Sequence, residues 1–575
     1  AGGNATSGGT VGSGGLGIVS NISGANVTYG TGGAGAKGGT NTTGSSGAIN
    51  TGNGGNAGSY GASGGGAGGS GGSGIVILKI TPYLTSVTVN AGSGTVSFAS
   101  GKTVSQLASL TINSTSQSNL LASVLSGLGS VTLNGGQFTF SGTNTYSGST
   151  NLNAGTLIIS NNSALGTGSL NLASNTLLQS GAATLTASNP IVMQGTATIN
   201  SPSGDSLTLS GAITGGQSLL LTGPGNIVLN NANNAIATLA GNNLGNVQVI
   251  NSTAMTIGTV GSTSGLLGAG TIDIETVSGN LTLSQAISTT NTSASAITLV
   301  ASSGTSSGVT TGGDVLLNGG ALSLGTGGQA LIYTGSIANS TAIAALAASG
   351  NFRYNSTSTT TNYTTALLGS GISVIYREQP SVTITSSQSW GYGIGPNLNT
   401  GTYSITATKN SDSTGGVNLT YNSSNTVSSS LGVGTYSMVA SLPTLTGLGY
   451  SVINGGTTFT IVASTAYVIV NVNQQSTYGS AVSVSYTLNT SANGTGSTLT
   501  TSGVSGTAVF ANSPNASSNA GTYLLTYSSG LSATNYSFSP ASSAVSYVVN
   551  KASAYVLVTS GQSSTYSSAP TINYT

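Results

Sequence analysis

The chain has 575 residues and a formal net charge of +1, from 7 Lys and Arg against 6 Asp and Glu, with no Cys and no His. Only 2% of its residues are charged, so the clustered cations that neutralise phosphates are missing and a nucleic-acid partner is excluded. The longest strongly apolar run, "GIVIL", is far shorter than the roughly 18 residues of a transmembrane helix, which excludes a membrane span in this chain.

Residues 1–75 form a glycine-rich segment that ends in "GASGGGAGGSGGSG". A flexible linker is one interpretation of this composition. If the segment is ordered, its backbone groups need partners, and packed polyglycine helices or narrow sheet coils are the two options. The first ten residues carry neither a cationic start nor an apolar core, so we expect a mature chain or an excerpt of one.

Residues 76–376 are predicted to form a β-solenoid. Short Val, Ile, Leu and Thr strands such as "GTLIISNN", "DSLTLSG" and "GNLTLSQ" are separated by Gly, Asn and Ser turns, and they recur every 10 to 25 residues or so, the spacing typical of solenoid coils. Inward apolar residues alternate with outward polar ones, and Asn at the turns is expected to form amide ladders. The pattern predicts a parallel β-helix of on the order of 12 to 14 coils, with a short helix considered only at 341–349.

A longer repeat follows residue 376. Its landmarks are tyrosines in "TYG"-like and "GTY" segments, spaced by 86 to 88 residues: Tyr392, Tyr478 and Tyr566, and Tyr436 and Tyr523. A period near 87 with alternating strands predicts one small Ig-like β-sandwich per repeat. The modules are 377–465 and 466–552, and residues 553–575 begin an incomplete third module.

Three stretches resemble known bacterial surface proteins. Residues 135–172, with "TNTYSGSTNLNAGTLIISN", resemble the passenger-associated β-strand repeat of autotransporters. Residues 313–380, with "NFRYN" and "VIYREQP", are similar to the end of the β-helix in filamentous-haemagglutinin-like adhesins. From 381 onward the repeats resemble the tandem MBG or YDG modules of such proteins. The resemblance implies an exported Gram-negative surface protein that is adhesive or fibre-forming and is not an enzyme.

Arg353, Arg377 and Glu378 are unusual in a chain that avoids charge. They lie where the predicted solenoid ends and the first sandwich begins, a place where terminal backbone needs a cap. We expect Arg353 or Arg377 to pair with Glu378 across this structural seam, so that mutation of Glu378 loosens the joint.

Catalytic and metal sites were sought among the few acidic residues. Asp273 and Glu275 in "TIDIET" share one face of a strand, as paired glycosidase carboxylates would, but no His, Cys or nearby cation supports them, so a solvated outer face is the favoured interpretation. Asp314 in "TGGDVLLNGG" matches a calcium nonapeptide turn only weakly. We therefore predict no catalytic residues, no metal site and no cofactor.

These patterns together predict an all-β extracellular, cell-surface protein: a parallel β-helix followed by tandem small Ig-like sandwiches, with a glycine-rich amino-terminal segment. The expected function is that of a non-enzymatic adhesin or structural fibre in cell attachment or a biofilm matrix. The expected partners are other copies of the chain, or a glycan or protein of a host or environmental surface. The alternatives are a homopolymeric filament subunit joined by strand complementation and, more remotely, a β-helix polysaccharide-degrading enzyme.

Overall fold

The structure is a computed structural model that describes residues 13–20, 26–35, 43–48, 52–61, 64–72, 85–105 and 107–575. It is nearly all β, with 43% strand and 2% helix, and contains a parallel β-solenoid of about 13 turns. The predicted all-β class and its parallel solenoid are therefore confirmed. The predicted boundary between residues 75 and 76 lies outside the described residues.

The glycine-rich segment is held together by backbone hydrogen bonds that recur every third residue. Gly44 and Gly47 donate to Ala67 and Ser70, both at 2.8 Å, and elsewhere Gly69 and Gly72 donate to Asn56 and Asn53 in the same rhythm. Three residues per turn is the period of a polyproline II helix. Of the two options from the sequence, the described residues thus adopt packed polyglycine helices. The strands of this segment are β1 (Ile18–Ser20), β2 (Val27–Tyr29), β3 (Tyr60–Gly61) and β4 (Gly64–Gly65).

Glycine is required where these helices touch. A Cβ atom at Gly55 would overlap the carbonyl oxygen of Gly69, and one at Gly58 would overlap that of Gly66. Because a backbone oxygen cannot move aside without displacing its own chain, a larger residue at either position would separate the chains.

The solenoid contains most of the strands of the chain. They are β5 (Thr85–Gly92), β6 (Ser97–Phe98), β7 (Thr103–Val104), β8 (Leu107–Ser114), β9 (Asn119–Leu121), β10 (Val124–Leu125), β11 (Ser130–Phe140), β12 (Thr150–Ile159), β13 (Leu170–Leu172), β14 (Thr176–Ser180), β15 (Thr184–Ala187), β16 (Ile191–Met193), β17 (Ala197–Asn200), β18 (Ser206–Leu209), β19 (Ile213–Thr214), β20 (Ser218–Thr222), β21 (Asn226–Leu229), β22 (Thr238–Leu244), β23 (Val247–Asn251), β24 (Met255–Ile257), β25 (Thr259–Val260), β26 (Thr263–Ser264), β27 (Leu266–Gly268), β28 (Ile272–Thr276), β29 (Leu281–Leu283), β30 (Ile287–Thr289), β31 (Ile297–Val300), β32 (Val315–Leu317), β33 (Leu322–Ser323), β34 (Gln329–Thr334), β35 (Phe352–Arg353) and β36 (Gly371–Tyr376). The short helix α1 (Thr341–Ala344) falls in the stretch where the sequence indicated one.

Parallel pairing stacks like residues over like. In the ladder β18, β21, β23, β28 and β31, the register aligns one buried row. Its members, each at most 2% exposed, are Leu207, Ile227, Val247, Ile272 and Ile297. Burying each such side chain stabilises the fold by about 1.5–3 kcal/mol. The alternate positions of these strands point outward, as the period of two requires.

Asparagines stabilise the coils in two ways. On the outer surface, Asn113, Asn134 and Asn153 each donate an amide N–H to the Asn of the preceding coil, beginning at Asn90. This amide ladder lies within strands β5, β8, β11 and β12 and not at the turns, where the sequence predicted it. Inside a turn, Asn234 is fully buried and bonds the backbone of neighbouring coils through both its oxygen and its nitrogen. The Asn234 amide thus satisfies backbone groups that the turn leaves unpaired.

The chain divides into two compact units. The first comprises residues 1–380 together with two short segments, 409–412 and 447–450, and the second comprises 381–408, 413–446 and 451–575. The strands of the first repeat are β37 (Ser381–Thr385), β38 (Ser387–Gly391), β39 (Ser404–Ile405), β40 (Asn418–Thr420), β41 (Gly434–Ser437), β42 (Val439–Ser441), β43 (Ser451–Asn454) and β44 (Thr458–Val462), with a 3-10 helix at Leu398–Thr400 and helix α2 (Pro443–Leu448).

The second repeat consists of two four-stranded sheets around one core. Its strands are β45 (Ser464–Val470), β46 (Gln474–Thr477), β47 (Tyr486–Asn489), β48 (Thr498–Leu499), β49 (Ser505–Ala511), β50 (Gly521–Ser532), β51 (Tyr536–Pro540) and β52 (Val545–Asn550). The sheets have the orders β48-β47-β45-β51 and β46-β52-β50-β49. Val468 and Leu488 of the first sheet share a core with Leu525, Tyr547 and Val549 of the second.

Both repeats contain parallel pairs that an antiparallel sandwich lacks. β37 pairs in parallel with β43 and β38 with β44, as β45 does with β51 and β46 with β52. In the second repeat, β45 lies in one sheet and β46, which follows Asn473 with φ +63°, lies in the other. The predicted Ig-like character of the repeats stays a prediction.

Candidate functional site: a buried charged cap at the end of the solenoid

Six of the charged residues lie in the last coils of the solenoid and in the short segment 409–412 of the same unit. Lys409 is exposed, four of the other five are buried, at 1 to 9% exposure, and Glu378 is half-buried. We call these other five residues the charged cap: Asp314, Arg353, Arg377, Glu378 and Asp412. A buried charge is costly unless it is paired or hydrogen-bonded, so the partners of each member define its role.

Arg377 ties the loop between β31 and β32 to the end of β36. Its Nη1 donates to the carbonyl of Ala301 at 2.5 Å, and its Nη2 donates to Gly313 at 2.6 Å and Thr311 at 3.2 Å. Burial lowers the pKa of Arg377, and the negative charge of Asp314 opposes that shift. An arginine remains protonated under such conditions, so it acts as a permanent donor to three carbonyls.

Asp314 closes the adjacent loop, which follows β34. Its carboxylate accepts from the backbone N–H of Ser336 at 2.5 Å, from the Asn339 amide at 3.0 Å and from the Thr334 hydroxyl at 3.4 Å. Arg377 and Asp314 therefore provide hydrogen-bond partners for backbone groups of the last coils, which have no further coil to pair with.

Arg353 fills the interior of the loop that follows β35. Its guanidinium lies 5.7 Å from the ring centre of Tyr363, a cation–π distance. Burial lowers its pKa. The acceptors of its N–H groups are the carbonyl oxygens of Phe352 (2.6 Å), Thr365 (2.8 Å), Gly350 (2.9 Å) and Ala366.

The partner predicted for Glu378 requires correction. Its carboxylate accepts from the backbone N–H of Ile337 at 2.7 Å, whereas Arg353 and Arg377 both donate to carbonyls. The three residues do lie in the terminal coils, but the structure pairs them with backbone groups and not with one another.

Asp412 lies in a cage of phenols. Tyr354 and Tyr450 donate their hydroxyls to its Oδ2 at 2.6 and 2.8 Å. The Tyr354 ring stacks on Tyr376, with centroids 5.4 Å apart, and meets Tyr450 edge-on at 4.8 Å. Burial raises the pKa of Asp412, while the two phenol hydrogen bonds oppose the rise. Burial also raises the pKa of Tyr354 and of Tyr450, so both phenols are neutral donors at ordinary pH, and it raises the pKa of Tyr376 to about 12.

Asp273 and Glu275 occupy the outward face of β28, as the sequence favoured. Asp273 accepts from the Gln248 amide at 3.1 Å, and Glu275 accepts from the Ser303 hydroxyl at 2.5 Å. Burial raises the pKa of Asp273, and the neighbouring charge of Glu275 raises it further. Both carboxylates are thus engaged by neutral side chains of adjacent coils.

Among the described residues, no three His, Cys, Asp or Glu side chains gather as metal ligands would, and no described helix is long and apolar enough to cross a membrane. The carboxylate of Asp314, which was considered for calcium, is directed to the three donors named above.

The landmark tyrosines occupy equivalent places in successive repeats. Tyr436 donates its hydroxyl to the carbonyl of Gly432 at 2.8 Å, and Tyr523 donates to that of Asn519 at 2.7 Å, each four residues upstream. Tyr392 is half-buried, whereas Tyr478 is 48% exposed and Tyr566 is fully exposed.

A glutamine bridge also recurs. Gln474 accepts from the N–H of Ser485 at 2.5 Å and donates to its carbonyl at 2.8 Å. Gln562, 88 residues later, makes the same two bonds to Asn573, at 2.6 and 2.7 Å. The start of the third repeat therefore adopts the local structure of the second.

We compared the chain with protein-family models, with curated proteins and with solved structures. None of them matches.

Two members of the charged cap, Asp314 and Asp412, were not assigned to it from the sequence. Their partners lie far away in the chain: Tyr354 is 58 residues from Asp412, and Ser336 is 22 residues from Asp314. The sequence offered one indication of their role: charged residues are so rare in this chain that each of them is a candidate for a buried structural role.

Proposed function

We propose that this protein is a non-enzymatic extracellular surface adhesin or structural fibre. The main support is the way its few charges are used: five of thirteen form the charged cap, and the outward rows of the coils are largely Ser, Thr and Asn. Such a surface offers hydroxyls and amides over a long, regular area and suits broad contact better than chemistry in one cleft.

Among the described residues, the two carboxylates considered for catalysis have an arrangement that favours a non-enzymatic role. Asp273 and Glu275 lie side by side on an outer face and bond to Gln248 and Ser303, so they do not face each other across a substrate groove. A glycosidase requires two carboxylates on opposite sides of the scissile bond.

Two assays test the proposal together. Beads coated with the full chain should remain on cell layers or on glycan-coated surfaces under flow, whereas beads coated with an inert protein should wash away. The same chain should release no reducing sugar from plant and microbial polysaccharides. Sugar release that Asp273→Asn abolishes would establish the enzyme alternative instead, and equal wash-off of both bead types would remove the adhesive role.

The filament alternative has one supporting observation. Val556 and Val558 of the third repeat are 68% and 65% exposed, in a stretch whose backbone pairs with residues 573–575. Exposed apolar strands of this kind favour pairing with another chain. Negative-stain electron microscopy at several protein concentrations decides between the two: filaments that lengthen with concentration favour the fibre, and single particles at all concentrations favour the adhesin.

A further inference from the structure

The second repeat contacts the first through an Asn-Tyr pair. The Tyr536 ring meets Tyr392 edge-on, with centroids 5.3 Å apart and planes at 87°. The Asn535 side-chain oxygen accepts from the backbone N–H of Val433 at 3.0 Å. Ser464, the first residue of β45, donates its hydroxyl to the carbonyl of Tyr392 at 2.5 Å. One aromatic contact and two hydrogen bonds thus fix this joint.

The surface that receives the pair is present again one repeat later. Tyr478 is the equivalent of Tyr392 and Ala520 that of Val433. Both are exposed, and Tyr478 exposes 48% of its surface. The hydroxyl bond of Tyr523, which matches that of Tyr436 in the first repeat, confirms the alignment around Ala520.

The third repeat exposes a second surface. In the second repeat, the segment that carries the Asn-Tyr pair covers the equivalent surface. Val556 and Val558 correspond to Val468 and Val470 of β45, which are 0% and 3% exposed. The pairing of Val558 with Tyr574 repeats that of Val470 with Tyr486. The hairpin of the third repeat is therefore formed, and its apolar face lacks the cover that β50, β51 and β52 provide in the second repeat.

We propose that Tyr478, Ala520, Val556 and Val558 form one docking surface for the second half of a further repeat of this type, a segment like residues 521–550 that carries an Asn-Tyr pair. A single occupant accounts for both exposed surfaces, because in the second repeat one segment both docks on Tyr392 and covers Val468. The Asn-Tyr pair sets the position of each repeat on the one before it. This inference does not depend on whether the chain is an adhesin or a fibre.

The test supplies that segment. The full chain is extended after Thr575 with a second copy of residues 488–552, because residues 553–575 align with 465–487. Tyrosines are acetylated with N-acetylimidazole, and peptide mass spectrometry compares Tyr478 with Tyr392. Amide hydrogen exchange follows residues 555–558. The control is the same extended chain with alanine in place of both residues of the added Asn-Tyr pair.

In the 575-residue chain, Tyr478 should react faster than Tyr392. In the extended chain, the reactivity of Tyr478 should fall to the level of Tyr392, and residues 555–558 should gain protection from amide exchange. In the control, residues 555–558 should remain protected, but Tyr478 should react as fast as in the 575-residue chain. An extended chain in which residues 555–558 remain unprotected overturns the proposal. So does one in which they are protected and Tyr478 reacts as before.

Discussion

Replacing Arg377 with alanine should destabilise the end of the solenoid by about 3–5 kcal/mol. The side chain is 2% exposed and donates to the carbonyls of Ala301, Thr311 and Gly313. Each buried acceptor left without a donor costs about 1–3 kcal/mol, and the attraction between Arg377 and Asp314 would also be lost. Water can enter the space vacated by the side chain and bond some of the three carbonyls, so the expected destabilisation is smaller than three times the largest cost per acceptor.

Urea unfolding followed by circular dichroism, with amide exchange to locate the change, measures this loss. Faster exchange should appear first in residues 301–313, which the guanidinium holds. Arg377→Lys should give an intermediate loss, since an ammonium cannot reproduce the planar fork of the guanidinium. The matched control is Lys102→Ala, the loss of an exposed cation of the same unit, expected to change stability by no more than about 0.5 kcal/mol. If Arg377→Ala costs no more than this control, the reasoning is refuted.

Three further substitutions test other parts of the structure. Asp412 has a folded-state pKa above its ordinary value of 3.8, so between the unfolded and folded pKa values the native chain holds a proton that the unfolded chain has lost. The free energy of unfolding should therefore fall as pH rises through this range. Asp412→Asn should reduce that pH dependence in urea titrations at several pH values. Gly335→Ala should lower the urea midpoint, because its Cβ would lie 2.5 Å from the Arg377 guanidinium, whereas Gly416→Ala, with nothing within 4 Å, should leave it unchanged. Asn234→Ala should cost about 2–3 kcal/mol by calorimetry or urea unfolding, since buried backbone groups lose their partners; a loss below about 0.5 kcal/mol would contradict this role.

The solenoid could be predicted because its signal is local. Alternation of apolar and polar residues sets which side chains face inward, and Gly, Asn and Ser mark the turns, so segments such as β18 and β28 were visible in the sequence. The repeat period was equally plain from Tyr392, Tyr478 and Tyr566. Each of these signals depends only on residues close together in the chain or on exact recurrence.

The remaining features depend on contacts distant in sequence. Gly44 and Ala67 are hydrogen-bonded across 23 residues, and composition alone does not distinguish a polyglycine helix from a narrow coil. The partner of Glu378 is a backbone N–H at Ile337, 41 residues away, and no pattern of charges indicates it. The parallel pairing within the repeats likewise joins strands that are far apart in the chain, such as β45 and β51, and the alternation of residues does not indicate it.

The charged cap is expected to close the end of the solenoid. Uncapped repeat arrays fray from their ends, so amide hydrogen exchange of the unmodified chain measures whether this end is closed. Amides of β34 and β36 should exchange as slowly as those of β21 and β23 in the middle of the solenoid. Exchange in β34 and β36 that is as fast as in exposed loops would contradict it.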